Sequence, residues 1–156
     1  MDQKTILIVD DNFVNLKTIS TILKEQGYQI ALATSGIEAL EILAETQAHL
    51  ILLDIMMPKM DGLEVCRKLK EDDKLQEIPV IFLTALSETE DIVKGFDAGG
   101  SDYIIKPFRK KELLSRVKTH IDLADSKIKI KQQAEELEKT IKARDKLYTI
   151  IAHDLR

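Results

Sequence analysis

Residues 50–62 read Leu50-Ile51-Leu52-Leu53-Asp54-Ile55-Met56-Met57-Pro58-Lys59-Met60-Asp61-Gly62. Four apolar residues in unbroken succession predict a strand buried on both faces, and therefore a parallel sheet. The carboxylate that ends the run, and the proline- and glycine-bearing segment after it, mark where the strand stops. Short apolar, β-branched runs of the same kind occur at 5–9, 30–33, 80–83 and 103–105. Helical spacing fills the gaps at 14–26, 36–46, 63–71 and 88–98, and again from 110 onward. Strands alternating with helices of this length give right-handed βαβ units. The expected fold is therefore α/β, a small doubly wound sandwich with five parallel strands. In such sheets function collects at the carboxyl ends of the strands, where the strand order reverses.

The residues at those ends carry the chemistry. The first strand ends in Asp10-Asp11, the third in Asp54, the fourth in Thr84-Ala85 and the fifth in Lys106-Pro107. Three carboxylates brought to one edge repel one another unless one is protonated or a cation joins them. Oxygen ligands with open positions suit Mg2+, which keeps several waters and meets phosphate. A carboxylate can serve as nucleophile and form an aspartyl phosphate. Catalysis is then mostly positioning and charge neutralisation by the metal, the lysine and the hydroxyl. A lone aspartate after a strand more often caps the next helix; five such residues at the matching strand ends argue for a site.

Asp10-Asp11, the run 54–62, Thr84-Ala85 and Lys106-Pro107-Phe108 together resemble the response-regulator receiver domain, over about residues 3–124. The resemblance implies a flavodoxin-like sheet in the order 2-1-3-4-5. It implies that Asp54 is the phosphoacceptor. Asp11 and Asp54 would hold Mg2+ by side chain, Asp10 through water and Met56 by its backbone carbonyl. Lys106 and the Thr84 hydroxyl would contact the phosphoryl group, and Tyr103 matches the aromatic switch position. It also implies a cis Lys106–Pro107 bond and, at Asp61-Gly62, a turn in which glycine permits positive φ. Met56 and Leu86 are apolar where many receivers carry polar groups. The pair either hinders the water that would hydrolyse the phosphate or simply packs on the loop.

Composition narrows the class. The 156 residues carry a net charge of −4, which argues against nucleic acid as the main partner. The single cysteine, Cys66, cannot form an internal disulfide; it is expected to pack in the core, and a reducing compartment is expected. No apolar run approaches the roughly 20 residues of a membrane span, and the amino terminus carries no signal-peptide pattern. A cytoplasmic location is expected. His49 and His120 read as surface or rim residues, and Asp72-Asp73 as a solvated helix end.

All six glycines and three prolines precede residue 108, leaving 49 residues without a helix breaker. Residues 1–122 hold 15 Lys/Arg against 21 Asp/Glu, whereas 123–156 hold 8 against 6. Leu113, Leu114, Val117 and Ile121 should face the sheet. Beyond them Ile130, Ala134, Leu137, Ile141, Arg144, Tyr148, Ile151 and Leu155 follow alternating steps of four and three, a heptad seam interrupted by Arg144 and Tyr148. A helix from 110 to 156 would extend about 70 Å, and so long an amphipathic helix needs a partner. A parallel homodimer is the simplest, a single frayed helix beyond about residue 128 the alternative.

The closing residues 150–156, Ile-Ile-Ala-His-Asp-Leu-Arg, resemble the start of the histidine box of sensor histidine kinases. His153 lies about 200° around the helix from Ile151, pointing away from the seam, as a possible phosphoacceptor. The expected organisation is a receiver at 1–124, a coiled-coil linker at 125–149 and a truncated histidine-box helix at 150–156. There is no glycine-rich nucleotide loop, so the chain would accept phosphate, from a histidine protein or its own kinase core, without making phosphohistidine itself. Two other readings compete. One is a stand-alone dimeric response regulator or adaptor whose helix binds partner proteins. The other, an aspartate-nucleophile phosphohydrolase, is disfavoured because Met56 stands where a second Asp is usual.

Overall fold

The computed structural model describes residues 3–85 and 89–155. In chain order the elements are β1 (Thr5–Val9), α1 (Phe13–Lys24), β2 (Gln29–Ala33), α2 (Gly36–Glu45), β3 (Leu50–Asp54), α3 (Gly62–Glu71), β4 (Val80–Thr84), α4 (Thr89–Asp97), β5 (Asp102–Ile105) and α5 (Lys110–Asp154). The five strands pair in parallel in the order β2-β1-β3-β4-β5. This is the expected flavodoxin-like sheet. Glu88, where the fourth helix was expected to start, lies outside the described residues, as does Leu86.

Successive strand residues feed two cores. Leu7, Val9, Ile51, Leu53, Val80 and Phe82 join Ala39 and Leu43 of α2 with Val65, Cys66 and Leu69 of α3. Ile6, Ile8, Leu50, Leu52, Ile81, Leu83 and Ile104 face the other way, with Leu16, Ile19 and Leu23 of α1 and Leu113, Val117 and Ile121 of α5. Each side chain points to the face opposite its neighbour's, so only a run apolar at every position supplies both cores. A fully buried aliphatic side chain contributes about 1.5–3 kcal/mol.

Three polar caps place the loops at the sheet's carboxyl edge. Asn12 accepts from the amides of Val14 and Asn15 at the start of α1. Ser35 does the same for Glu38 in α2, and Asp61 for Glu64 in α3. Each fills amides that the first helical turn leaves unpaired. Helix α1 ends at Lys24, two residues before the expected end, because Gly27 adopts φ 90° and its amide turns back to the Lys24 carbonyl. That conformation favours glycine.

The backbone divides after Ile121 into two units. The second unit, from Asp122, is the remainder of α5. Every residue of the four-and-three seam in it is exposed. Its two interruptions meet one another, with the Arg144 guanidinium 5.9 Å from the Tyr148 ring centre. Glu138 and Lys142 pair one turn apart at 3.3 Å. His153 is exposed, its Nδ1 3.8 Å from Asp154 Oδ1. Among the described residues no helix is long and apolar enough to cross a membrane.

Candidate functional site

Because β1 lies between β2 and β3, the chain turns in opposite directions on leaving β1 and β3, and a crevice opens above their carboxyl ends. Asp10 follows β1 and is fully buried; Asp54 ends β3 and is 6% exposed; Thr84 ends β4 and is buried. Asp11, beside them, is exposed. Lys106 follows β5, and its backbone amide donates to the Thr84 carbonyl at 2.7 Å. The Lys106–Pro107 bond is cis, in agreement with the resemblance.

One lysine serves two carboxylates. Lys106 Nζ donates to Asp10 Oδ2 at 3.0 Å and stands 3.4 Å from Asp54 Oδ2. Asp10 Oδ1 accepts from the Asn12 amide at 2.9 Å, and Oδ2 also accepts from Asn15 Nδ2 at 3.2 Å. Asp54 Oδ1 accepts from the Met56 amide at 3.2 Å. Burial pushes the Asp54 carboxyl up from 3.8 to about 6, with a further push from Asp10; Lys106 and the Met56 amide oppose it. The group remains mostly ionised at neutral pH, as a nucleophile requires.

Asp10, Asp11 and Asp54 each offer a carboxylate oxygen, and these oxygens lie within 4.8 Å of one another. Ligands of an octahedral cation at about 2.1 Å are roughly 3–4 Å apart, so this all-oxygen set fits a hard divalent ion. Three of the four residues named for that role from sequence, Asp10, Asp11 and Asp54, lie together here.

Elsewhere the structure modifies the expectations. Gly62 does not take positive φ; the residue that does is Lys59, at φ 68°. Gly62 instead opens α3 with the Asp54 carbonyl where a side chain would begin, so that any Cβ would collide with the backbone of Asp54. Met56 is 63% exposed. Tyr103 is half-buried and meets Phe96 of α4 edge-on, with ring centres 6.0 Å apart. His120 is no free surface residue: its Nε2 lies 3.0 Å from Asp102 Oδ2, and its side chain is mostly covered. Arg116 donates to both Asp102 oxygens at 2.9 Å. Cys66 is core, as expected, and burial pushes its thiol up. Asp72 is an exposed helix end, also as expected.

Sequence reasoning missed Asn12, Asn15 and the His120–Asp102–Arg116 cluster. Asn12 had a signal, an N-capping residue two positions after the Asp10 it supports. The spacing of Arg116 and His120, one helical turn apart, put them on one face of α5 without naming Asp102.

Known proteins share this fold. Residues 6–118 match the family described as the response regulator receiver domain. The DNA-binding dual master transcriptional regulator RpaA of Synechocystis is 40% identical over 120 residues, 77% of this chain and 50% of RpaA. The chain thus spans about half the length of the curated relatives it matches. Among solved structures, the receiver domain of a signal transduction histidine kinase from Syntrophus aciditrophicus is 40% identical, with a TM-score of 0.72 over 76% of this chain and 90% of that one. The receiver of the sensor histidine kinase PA1611 from Pseudomonas aeruginosa, described with a magnesium ion in its active-site cleft, is 31% identical. Its TM-score is 0.72 over 78% of this chain and 99% of that one. With the strand order, the paired carboxylates and the lysine in place, the chain belongs to the response regulator receiver domain family.

Proposed function

We propose that Asp54 accepts a phosphoryl group in a two-component relay and that the protein switches conformation in response. An Asp54 oxygen attacks the phosphorus of a phosphohistidine donor. The P–N bond breaks, the imidazole takes up a proton, and an aspartyl phosphate is left. Asp11 and Asp54 by side chain, Asp10 through water and Met56 by its carbonyl would hold Mg2+, which supplies charge neutralisation when bound. Lys106 neutralises the oxygens of the arriving group, the Thr84 hydroxyl donates to it, and Tyr103 follows Thr84 inward. The exposed Met56 side chain at the rim hinders the hydrolytic water. The observation that carries this reading is one lysine within 3.4 Å of Asp54, beside carboxylates spaced for one cation. Incubation with acetyl phosphate and Mg2+ tests it: intact mass rises by one phosphate, and Asp54→Asn abolishes the gain.

We further propose that the receiver occupies residues 1–124 and precedes a histidine-kinase core outside this chain. Residues 125–149 form a parallel homodimeric coiled coil, and 150–156 open the histidine box with His153 outermost. The support is the exposed seam, the resemblance of the closing residues, and a relative 40% identical that is itself the receiver of a histidine kinase. The site works on the cytoplasmic side of signalling. A second reading, favoured by RpaA's description, is a regulator whose whole protein binds DNA; the net charge of −4 speaks against DNA contact by this part. Reading the coding DNA past Arg156 separates a nucleotide-binding kinase core from a DNA-binding domain.

A further inference from the structure

Transfer to Asp54 asks Lys106 to serve the arriving group, yet Lys106 is held more closely by Asp10, at 3.0 Å against 3.4 Å. Asp10 is fully buried. A buried carboxylate must keep its oxygens hydrogen-bonded, and taking away one partner leaves a desolvated charge. Oδ1 is filled by the Asn12 backbone amide. Oδ2 has two side-chain donors, Lys106 Nζ and, at 3.2 Å, Asn15 Nδ2. Asn15 sits in the first turn of α1, where its own backbone amide donates to the Asn12 side chain at 3.3 Å, so its side chain is presented to Asp10 by a fixed cap.

We propose that Asn15 is a positioning residue whose amide keeps Asp10 Oδ2 satisfied and so releases Lys106 toward Asp54. The inference rests on reading Asp10, Asp11 and Asp54 as a Mg2+ site. A carboxamide suits the task because it is neutral: it fills the oxygen's hydrogen-bonding need without bringing a positive charge to oppose an incoming cation. Lacking that amide, Asp10 Oδ2 depends on Lys106, and a cation approaching the carboxylates has to displace an ammonium with no replacement donor. Asn15 therefore acts on cation binding through Lys106 rather than by direct contact with the metal. Its side chain is also separable from the helix cap, which uses the Asn12 side chain and backbone amides. Leucine at this position removes the amide, keeps similar bulk and favours helix.

The test is a double-mutant cycle on Mg2+ affinity, read from backbone amide NMR shifts, which also report that each variant is folded. Asn15→Leu is expected to weaken Mg2+ binding about threefold or more when Lys106 is present, and by no measurable amount in a Lys106→Met background. Asn15→Gln, which retains the amide, is expected to recover part of the loss. Equal weakening in both backgrounds, or none in either, overturns the proposal. A wild-type protein that binds no Mg2+ overturns the metal-site reading itself, and with it this inference. Phosphorylation is not read in these titrations, so the fate of Asp54 does not decide them.

Discussion

The Lys106 ammonium lies 3.4 Å from the Asp54 carboxylate, and still the Asp54 carboxyl is pushed up from 3.8 to about 6. Burial outweighs the lysine. A folded-state value above the unfolded one means that the native protein binds this proton more tightly. Between about pH 4 and 6 the group's contribution to stability therefore falls as pH rises, and the cost persists above that window. Asn at position 54 carries no such cost. Asp54→Asn is expected to be more stable than wild type at pH 7.5 by about 1–3 kcal/mol, from a displacement of roughly two pKa units. At pH 4.5 the gain should shrink. Urea unfolding of both proteins at the two pH values measures it, and a gain independent of pH contradicts it.

Gly62 supports the Asp54 backbone from behind. A methyl group there meets the backbone carbonyl of Asp54 and the Cα of Ile55, neither of which is a flexible side-chain end. Gly62→Ala is expected to cost about 1–3 kcal/mol by forcing the backbone apart. It should also slow phosphorylation more than an equally destabilising change in a distant part of the core, such as Ile19→Val. Equal rates in these two variants would show that the displacement does not reach Asp54.

Asp102 anchors the start of β5. Burial alone would raise its carboxyl, but hydrogen bonds from His120, the Tyr103 amide and Arg116 outweigh it and hold the group below its ordinary value. A depressed value stabilises the native state above the unfolded pKa of about 4, and that contribution is lost as pH falls through the folded value. Asp102→Asn is expected to lower stability at pH 7 by about 1–3 kcal/mol, leaving Arg116 and His120 with a weaker partner. It should also flatten the loss of stability below pH 4. Denaturation midpoints against pH for the two proteins decide it.

The seam on the second unit predicts association. Leu137 and Ile141 are exposed at adjacent heptad positions. If they meet a second copy, Ile141→Lys buries a charge in the interface and weakens the dimer about tenfold or more. Sedimentation velocity should then show monomer at concentrations where wild type is dimeric. A wild-type protein that is monomeric throughout removes the coiled-coil proposal and leaves the receiver chemistry standing.

Most of the fold was legible because its signals are local. Strands that feed two cores are apolar at every position, and 50–53 could not be read as half-exposed. The site residues were legible because each ends a strand, and the topology alone brings Asp10, Asp54, Thr84 and Lys106 together. What escaped depends on distances across the fold. Nothing in the sequence sets Asn15 against Asp10 rather than solvent, or pairs His120 with Asp102 across 18 positions. Gly62 was singled out for the wrong reason, since a glycine required by a close backbone approach looks the same in sequence as one required by positive φ. The end of α1 at Lys24 likewise turned on the local geometry of Gly27.

The most direct measurement is the position of the phosphate itself. The protein is incubated with acetyl phosphate and Mg2+, reduced with borohydride, which converts an aspartyl phosphate to homoserine, and mapped by tandem mass spectrometry. The account predicts homoserine at position 54 alone, absent when Mg2+ is chelated. Conversion at Asp10 or Asp11 in place of Asp54, or none in a protein shown to be folded, would contradict it.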